Sequence, residues 1–532
     1  MTSRVRPTLL PFGIACLFTL IALSSFWYSL GRPVDLADAS APGARLQCAS
    51  YSPFAKDQSP FDQPFELRPD RIDADLALLA KRFGCVRTYS MIGLEAVPAL
   101  ARKHGLKLLM GAWVSADPVQ TRAEIDALIA SANANRDVVD AVIVGNEVLL
   151  RKETTAARLV ALIEEVRAGV EVPVTYADVW EFWLRHPEVA PAVDFLTIHL
   201  LPYWEDEPAG IEHALREVAE VRQVFGNRYA PKDILIGETG WPSEGRQRET
   251  AVPSRVNQAR FIRDFVHLAE ANGWRYNLIE AFDQPWKRAS EGAVGGYWGL
   301  FDADRQDKGI LAGPVSNLPG WPIWLTISLV AWGGALTIAG LPTRLRSATL
   351  LPVATAVGAA CMALWLELGV ITSRHLGEWL WTGALLMLNA VALAHVALML
   401  GSESTWRRRA RTWLDAKAGL ILLATGFAGA VMALALVFDA RYRSFPSAAL
   451  LFPALVYLAR PAIASRRETT LLTALVAACI APQLYQEGLE NGQALGWALV
   501  CLLVTLALWR SLQHQSKRQI AIATTDIRNQ TA

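Results

Sequence analysis

Cysteine is scarce, with six in 532 residues. None stands in a Cys-x-x-Cys or Cys/His spacing, so neither a metal nor a cofactor is expected. Cys16, Cys361, Cys479 and Cys501 lie in apolar runs, where a thiol acts as a small hydrophobe. An excess of one charge is also lacking: 51 basic against 50 acidic side chains leave +1. No basic, aromatic-interleaved patch marks the polar half, which argues against nucleic acid as a partner. A glycine-rich phosphate loop is missing after the first strand signal, where Tyr51-Ser52-Pro53-Phe54 stands instead. That argues against an open, nucleotide-binding α/β sheet.

Apolar length is abundant. A chain of this size at 52% apolar is too greasy for one soluble domain. Residues 45–318 are mixed and charged, whereas 321–509 are dominated by Leu, Ala, Val and Trp. Behind Arg4 and Arg6, an apolar run over 8–30 exceeds the roughly 20 residues that span a bilayer. It reads as a signal anchor followed by a linker to residue 44. A signal peptide cleaved near Ala37-Asp38-Ala39 is the other reading, and both put the polar half outside the cytoplasmic membrane.

The apolar half divides into seven spans near 323–341, 348–371, 379–400, 419–438, 446–458, 470–485 and 495–509. With the polar half outside, Arg344 and Arg346, then Arg407, Arg408, Arg409 and Arg411, then Arg460, Arg466 and Arg467, then Arg510, Lys517 and Arg518 all fall inside. Arg441 and Arg443 fall outside, against the rule, and the pattern needs the short fifth span to cross. These spans predict a membrane domain over 319–511 and a disordered cytoplasmic tail over 512–532. The expected location is the inner membrane, multi-pass, with the polar half in the periplasm and the lipid bilayer as a partner.

Strand and helix signals alternate through the polar half. Strands are expected over 47–51, 86–89, 106–114, 138–147, 172–177, 193–200, 234–238 and 276–282. Helices fall between them; Ile72, Leu76, Leu79 and Phe83 set one over 70–83, and Gly105 marks the end of another. Eight such repeats in about 270 residues predict an α/β fold, a (β/α)₈ TIM barrel followed by an all-α polytopic transmembrane region.

Strand C-termini of such a barrel share one rim. Val144-Gly145-Asn146-Glu147 ends the fourth strand, and Gly237-Glu238-Thr239-Gly240-Trp241-Pro242 ends the seventh. A lone glutamate there is more often a rim carboxylate paired with an arginine such as Arg87 or Arg151. Two together point to paired carboxyls, one a proton donor and one a nucleophile, as glycoside cleavage requires. Asn146 beside Glu147 suits a hydrogen bond to a sugar hydroxyl.

These two segments resemble the catalytic signatures of family 17 glycoside hydrolases, β-1,3-glucanases and glucan transglycosylases on a (β/α)₈ barrel. Val86-Arg87-Thr88-Tyr89-Ser90, His199-Leu200-Leu201-Pro202-Tyr203-Trp204 and Glu280-Ala281-Phe282-Asp283-Gln284-Pro285-Trp286-Lys287 fit the same pattern. The resemblance covers roughly 47–302. It implies Glu147 as acid/base, Glu238 as nucleophile and a β-glucan as substrate. Fusion to a polytopic region is similar to bacterial proteins of β-glucan synthesis, which implies a glucan synthase or export partner. No Q-x-x-R-W and no cytoplasmic Asp-x-Asp accompany it, so transfer from a covalent intermediate is expected rather than nucleotide-sugar chemistry. Plain endo-hydrolysis is the rival, and a glucan-binding exporter or sensor without catalysis is the rival of another class.

Tyr89, Tyr203, Trp204 and Trp241 are expected to offer ring faces to sugar, and Glu280, Asp283 and Lys287 to bind hydroxyls. Trp180, Trp183, Trp286 and Trp298 stand near the same rim, where core packing is an equal reading for Trp180 and Trp183. Cys48 and Cys85 precede neighbouring strands, and a disulfide or two free thiols both fit. Glu367, Asn389 and His395 are the conspicuous polar groups within spans, where a polar group is a functional candidate.

Overall fold

The computed structural model describes residues 8–62 and 64–530, with side chains to 517. Arg4 and Arg6, and residues 531–532, lie outside the described residues. The described chain divides into two compact units, Val34–Val315 and a helical unit made of Met1–Pro33 and Ser316–Ala532.

In the first unit, eight parallel strands close a barrel in chain order. They are β1 (Leu46–Ser50), β2 (Phe83–Arg87), β3 (Lys107–Ala112), β4 (Val139–Asn146), β5 (Val174–Val179), β6 (Leu196–His199), β7 (Ile234–Thr239) and β8 (Arg275–Leu278). β8 closes on β1, with Cys48 opposite Asn277. The helices between them start where capping chemistry dictates. Asp117 accepts from the backbone N–H groups of Val119 and Gln120 ahead of Pro118–Ala134, Thr155 caps Ala156–Gly169, and Ser254 caps Arg255–Ala271. Gly105 ends Val97–His104 at φ 66°, a left-handed conformation glycine adopts freely. The (β/α)₈ architecture read from the alternation is the observed one.

One periodic signal overran its element. Ile72, Leu76, Leu79 and Phe83 keep helical spacing, yet the helix stops at Leu79 and Phe83 opens β2 opposite Leu46. All four side chains are buried in the same core, so the spacing alone does not separate a helix from a helix followed by a strand.

Two apolar layers result. The larger lies between strands and helices and includes Val86, Met110, Val142, Ile198 and Ile236. The smaller, Cys48, Cys85, Leu109, Ala141, Ile143, Ala177, Phe195 and Leu235, fills the barrel interior. Cys48 and Cys85 are register partners on β1 and β2 and form a disulfide, with Cα atoms 4.4 Å apart. Two residues further along β2, on the same face, Arg87 rises from this layer into the rim.

Residues 34–44, a linker by sequence, belong to the barrel unit. Val34 and Val315 form an antiparallel bridge, and the Ala39 N–H donates to the Leu311 carbonyl over 2.9 Å. Buried Arg263 donates to the carbonyls of Leu36, Ala37, Gly309, Ile310 and Gly313, holding both ends of the unit together. Backbone pairing of this kind leaves no sequence period to read.

Among its described residues the helical unit holds seven helices long and apolar enough to cross a membrane: Leu9–Gly31, Trp321–Ala339, Leu345–Thr372, Leu376–Leu400, Thr405–Phe438, Arg466–Glu487 and Gly492–Lys517. The expected fifth span of the apolar half is a shorter apolar helix, Ser447–Ala459. At 13 residues it is about 20 Å long, against roughly 30 Å of hydrocarbon. Helix Gly492–Gln530 runs through 512–530, where the sequence reading placed a disordered tail. No glycine or proline interrupts 497–530, and Leu512, Gln513, Gln515 and Lys517 are good helix formers. Of the polar groups singled out within spans, Asn389 donates to the Ala449 carbonyl, and His395 meets Asp415 at 3.0 Å.

Candidate active site

β4 and β7 carry the two glutamates to one rim. Glu147 follows the last residue of β4, and Glu238 is the penultimate residue of β7. A carboxylate oxygen of each and a ring nitrogen of His199, from the end of β6, lie within 4.8 Å of one another. Strand registers slip near the ends of β4, β6 and β7, between Ile143 and Asn146, Ile198 and His199, and Ile236 and Thr239. Such irregularities re-aim side chains, and here they lie beside all three groups. Glu147 itself has φ 52°, a left-handed conformation uncommon for a residue with a side chain. Its N–H donates to the Ala177 carbonyl over 2.8 Å.

Arg87 stands at the centre of the rim, 1% exposed. It donates to the Gly237 carbonyl at 2.7 Å, to Asn146 Oδ1 at 2.5 Å and to Glu238 Oε1 at 3.3 Å. Gly237 permits this crowding: a Cβ there would meet Thr197 Cγ2 at 2.3 Å. Arg87 also faces His199 Nε2 at 3.4 Å, and His199 Nδ1 lies 2.9 Å from Glu147 Oε1. Arginine only donates. In a neutral ring, Nε2 therefore accepts from Arg87, and Nδ1 donates to Glu147. The Tyr89 hydroxyl reaches both Glu238 Oε1 and Ser50 Oγ at 2.8 Å.

Burial works to raise the Glu238 carboxyl. His199, Arg87 and Lys287, with the Tyr89 hydroxyl, outweigh it and hold Glu238 below the ordinary carboxylate range. Glu280 differs. Burial pushes it up to about 7 against the pull of Lys287, whose Nζ lies 2.9 Å from both Glu280 oxygens.

Glu147, His199 and Glu238 also have the donor types of a metal site. Arg87 already brings a positive charge to Glu238 and His199, and its repulsion of a cation makes the cluster a poor metal centre.

The rim brings together Glu147, Glu238, Asn146, Tyr89, Glu280 and Lys287, but not every residue expected to meet sugar. Tyr203 and Trp241 are both fully buried. The Tyr203 hydroxyl donates to the Arg246 carbonyl and the Trp241 indole to that of Val252. Loop 243–252 covers them, so their faces pack in the core instead of lining a groove. Trp183 and Trp298 are buried too. Asp283 is 5% exposed and tied to Lys308 at 3.0 Å and to the Gly299 N–H, a structural network in place of a sugar ligand. Trp204 is half-buried and stacked on Trp298 with ring centres 6.2 Å apart. Trp180 and Trp286 are half-buried, and exposed Phe61 meets Trp286 edge-on at 5.6 Å.

Arg151 does not pair with Glu147. It bonds the Asn146 and Val114 carbonyls and Glu153. His199 carried no assigned role by sequence, and Arg87 carried only that of a structural ion-pair partner. Each stands in a motif already singled out, and a strand-end histidine or arginine was the signal available.

Residues 48–299 match the family model of the BtgE/BtgC glycoside hydrolase domain. A glucan 1,3-β-glucosidase of Arthroderma benhamiae is 28% identical over 273 residues, 48% of this chain and 84% of that protein. A glucan 1,3-β-glucosidase of Schizosaccharomyces pombe is 29% identical, over 44% of this chain and 78% of its own length. The probable β-glucosidase btgE of Aspergillus fumigatus is 30% identical over 234 residues, and the match spans 40% of it. Among solved structures, a family 17 β-1,3-glucanosyltransferase from Rhizomucor miehei is 27% identical, covering 50% of this chain and 97% of that one, with a TM-score of 0.44. The barrel is thus similar, over residues 48–299, to glycoside hydrolase domains of the BtgE/BtgC type.

Proposed function

We propose that the barrel cleaves β-1,3-glucan with retention, Glu147 acting as acid/base and Glu238 as nucleophile, and that a sugar hydroxyl is the favoured acceptor. The spacing of the two glutamates carries this reading. Oxygens of the pair lie within 4.8 Å. Retaining enzymes hold their carboxyls about 5–5.5 Å apart, whereas inverting ones need about 6.5–9.5 Å to seat a water. Glu238 is held ionised by its surroundings, as a nucleophile must be. The substrate class follows from the β-1,3-glucosidases to which the domain is similar. In the first step Glu238 attacks the anomeric carbon while Glu147 protonates the departing sugar oxygen. In the second, Glu147 takes a proton from the acceptor, which opens the glycosyl ester.

The acceptor decides between transfer and hydrolysis. Water at roughly 55 M loses only to a bound, oriented hydroxyl, for which effective molarities of about 10⁵ M or more are available. Burial of Tyr203 and Trp241 removes two of the four rings expected to face sugar, and this favours plain hydrolysis as the second reading. Half-buried Trp180, Trp204 and Trp286 can still offer ring surface to an acceptor. The full chain in detergent, given a β-1,3-glucan oligosaccharide at millimolar concentration, is expected to make products longer than or branched from the substrate, read by mass and linkage analysis. Shorter products alone, at every substrate concentration, would establish the hydrolytic reading.

The protein is proposed to reside in the inner membrane with the barrel in the periplasm. The arginine asymmetry between loops supports this, and so does the Cys48–Cys85 disulfide, since such bonds persist in oxidising compartments.

A further inference from the structure

We propose that Tyr176 and Asp178, on β5, are positioning residues that fix Glu147 for proton transfer, a role that rests on the acid/base assignment of Glu147. The turn carrying Glu147 has an unfavourable local conformation. Gly145 has φ 87° and Glu147 φ 52°. A residue in that region persists only where its surroundings dictate it.

β5 supplies the dictation. The Glu147 N–H donates to the Ala177 carbonyl at 2.8 Å, and the Leu149 N–H donates to the Tyr176 hydroxyl at 3.0 Å. The hydroxyl accepts from Leu149 in a fixed orientation because its own proton goes to Asp178 Oδ2. Asp178 Oδ1 in turn accepts from the Val179 N–H at 2.8 Å. Tyr176 is 1% exposed and Asp178 fully buried, and the Tyr176 ring packs on Trp183 at 5.4 Å. Neither side chain has a face open to substrate, so the pair acts through the turn.

Charge bears on the pair as well. Glu147 from β4, His199 from β6, Arg151 and Tyr176 are the ionisable groups around Asp178. Burial, with the Glu147 charge adding to it, pushes Asp178 up to about 6 against the Tyr176 and Val179 hydrogen bonds and His199. Above that pH Asp178 is a buried carboxylate, which accepts the Tyr176 proton and so keeps the hydroxyl's lone pair turned to the Leu149 N–H.

The test uses the full-length chain in detergent, with a β-1,3-glucan oligosaccharide and an activated aryl β-glucoside whose leaving group needs no proton. Tyr176→Phe should lower kcat on the oligosaccharide roughly ten- to a hundred-fold with KM little changed. Its kcat/KM on the aryl glucoside should fall far less. Asp178→Asn, which weakens the acceptor of the Tyr176 proton, should show the same preferential loss on the oligosaccharide. Equal losses on both substrates would overturn the pair. Should Asp178→Asn not fold, Tyr176→Phe decides alone, because its ring keeps the packing on Trp183. Glu147→Ala run alongside separates the two readings. If it also loses both substrates equally, the acid/base assignment is wrong and the pair's role falls with it.

Discussion

Glu238 takes hydrogen bonds from Arg87 and the Tyr89 hydroxyl, and His199 Nε2 stands 3.7 Å from its Oε1. Glu238→Ala should abolish the glycosyl-enzyme and lower activity by several orders of magnitude, checked by trapping the intermediate with a slow-leaving fluorosugar. Tyr89→Phe removes a donor to the charged form of Glu238. Its pKa, now held below the ordinary 4.5, should rise, and the acid limb of kcat/KM should move to higher pH. An unmoved acid limb would mean that the hydroxyl serves Ser50 alone. The two glutamates were legible because a carboxylate at the end of an apolar strand contradicts its neighbours. Tyr203 and Trp241 were not, because whether an aromatic at a motif edge faces solvent depends on a distant loop. Residues 243–252 decide it, and nothing in Tyr203-Trp204 or Trp241-Pro242 announces that loop's path.

Among elements, eight strands could be counted from their apolar runs, because both faces of a parallel barrel strand are buried. Their ends were less legible. β8 stops at Leu278 where its signal ran to 282, since Glu280 and Ala281 leave the ladder to pair with Trp298 and Ser50. The disulfide was undecidable from spacing, because a one-residue change of register between β1 and β2 would have turned Cys48 and Cys85 to opposite faces. It closes a loop with a sequence separation of 37, for which about 2–4 kcal/mol of stability is expected. The double variant Cys48→Ser, Cys85→Ser should therefore unfold several degrees lower by calorimetry, and reductant should reproduce that shift in the wild type only. An unchanged midpoint would show that the barrel interior holds its register without the bond.

For the whole molecule, the change of composition near residue 320 was plain to read, but the start of the barrel unit was not. A fragment spanning 34–315 should be soluble and show a single cooperative transition. One spanning 45–318 lacks the Val34–Val315 bridge and two of the carbonyls that Arg263 bonds, and should melt at lower temperature. Equal midpoints would return 34–44 to the status of a linker. Topology is expected to follow the arginines: a reporter fused after Arg411 should read cytoplasmic, and one within 487–491 periplasmic. A periplasmic signal after Arg411 would overturn the proposed orientation, including the crossing of Ser447–Ala459. The Cys48–Cys85 bond bears on all of this in one further way. It lies next to the seam of a ring, joining the first two strands while the eighth must come back to the first. Each later strand takes its register from the one before, so an error at the seam would be inherited all the way round. Glu147 and Glu238 stand two and five strands beyond β2, the second strand that the bond joins. A crosslink between the first two strands thus acts as the zero mark from which the spacing of the two glutamates is counted.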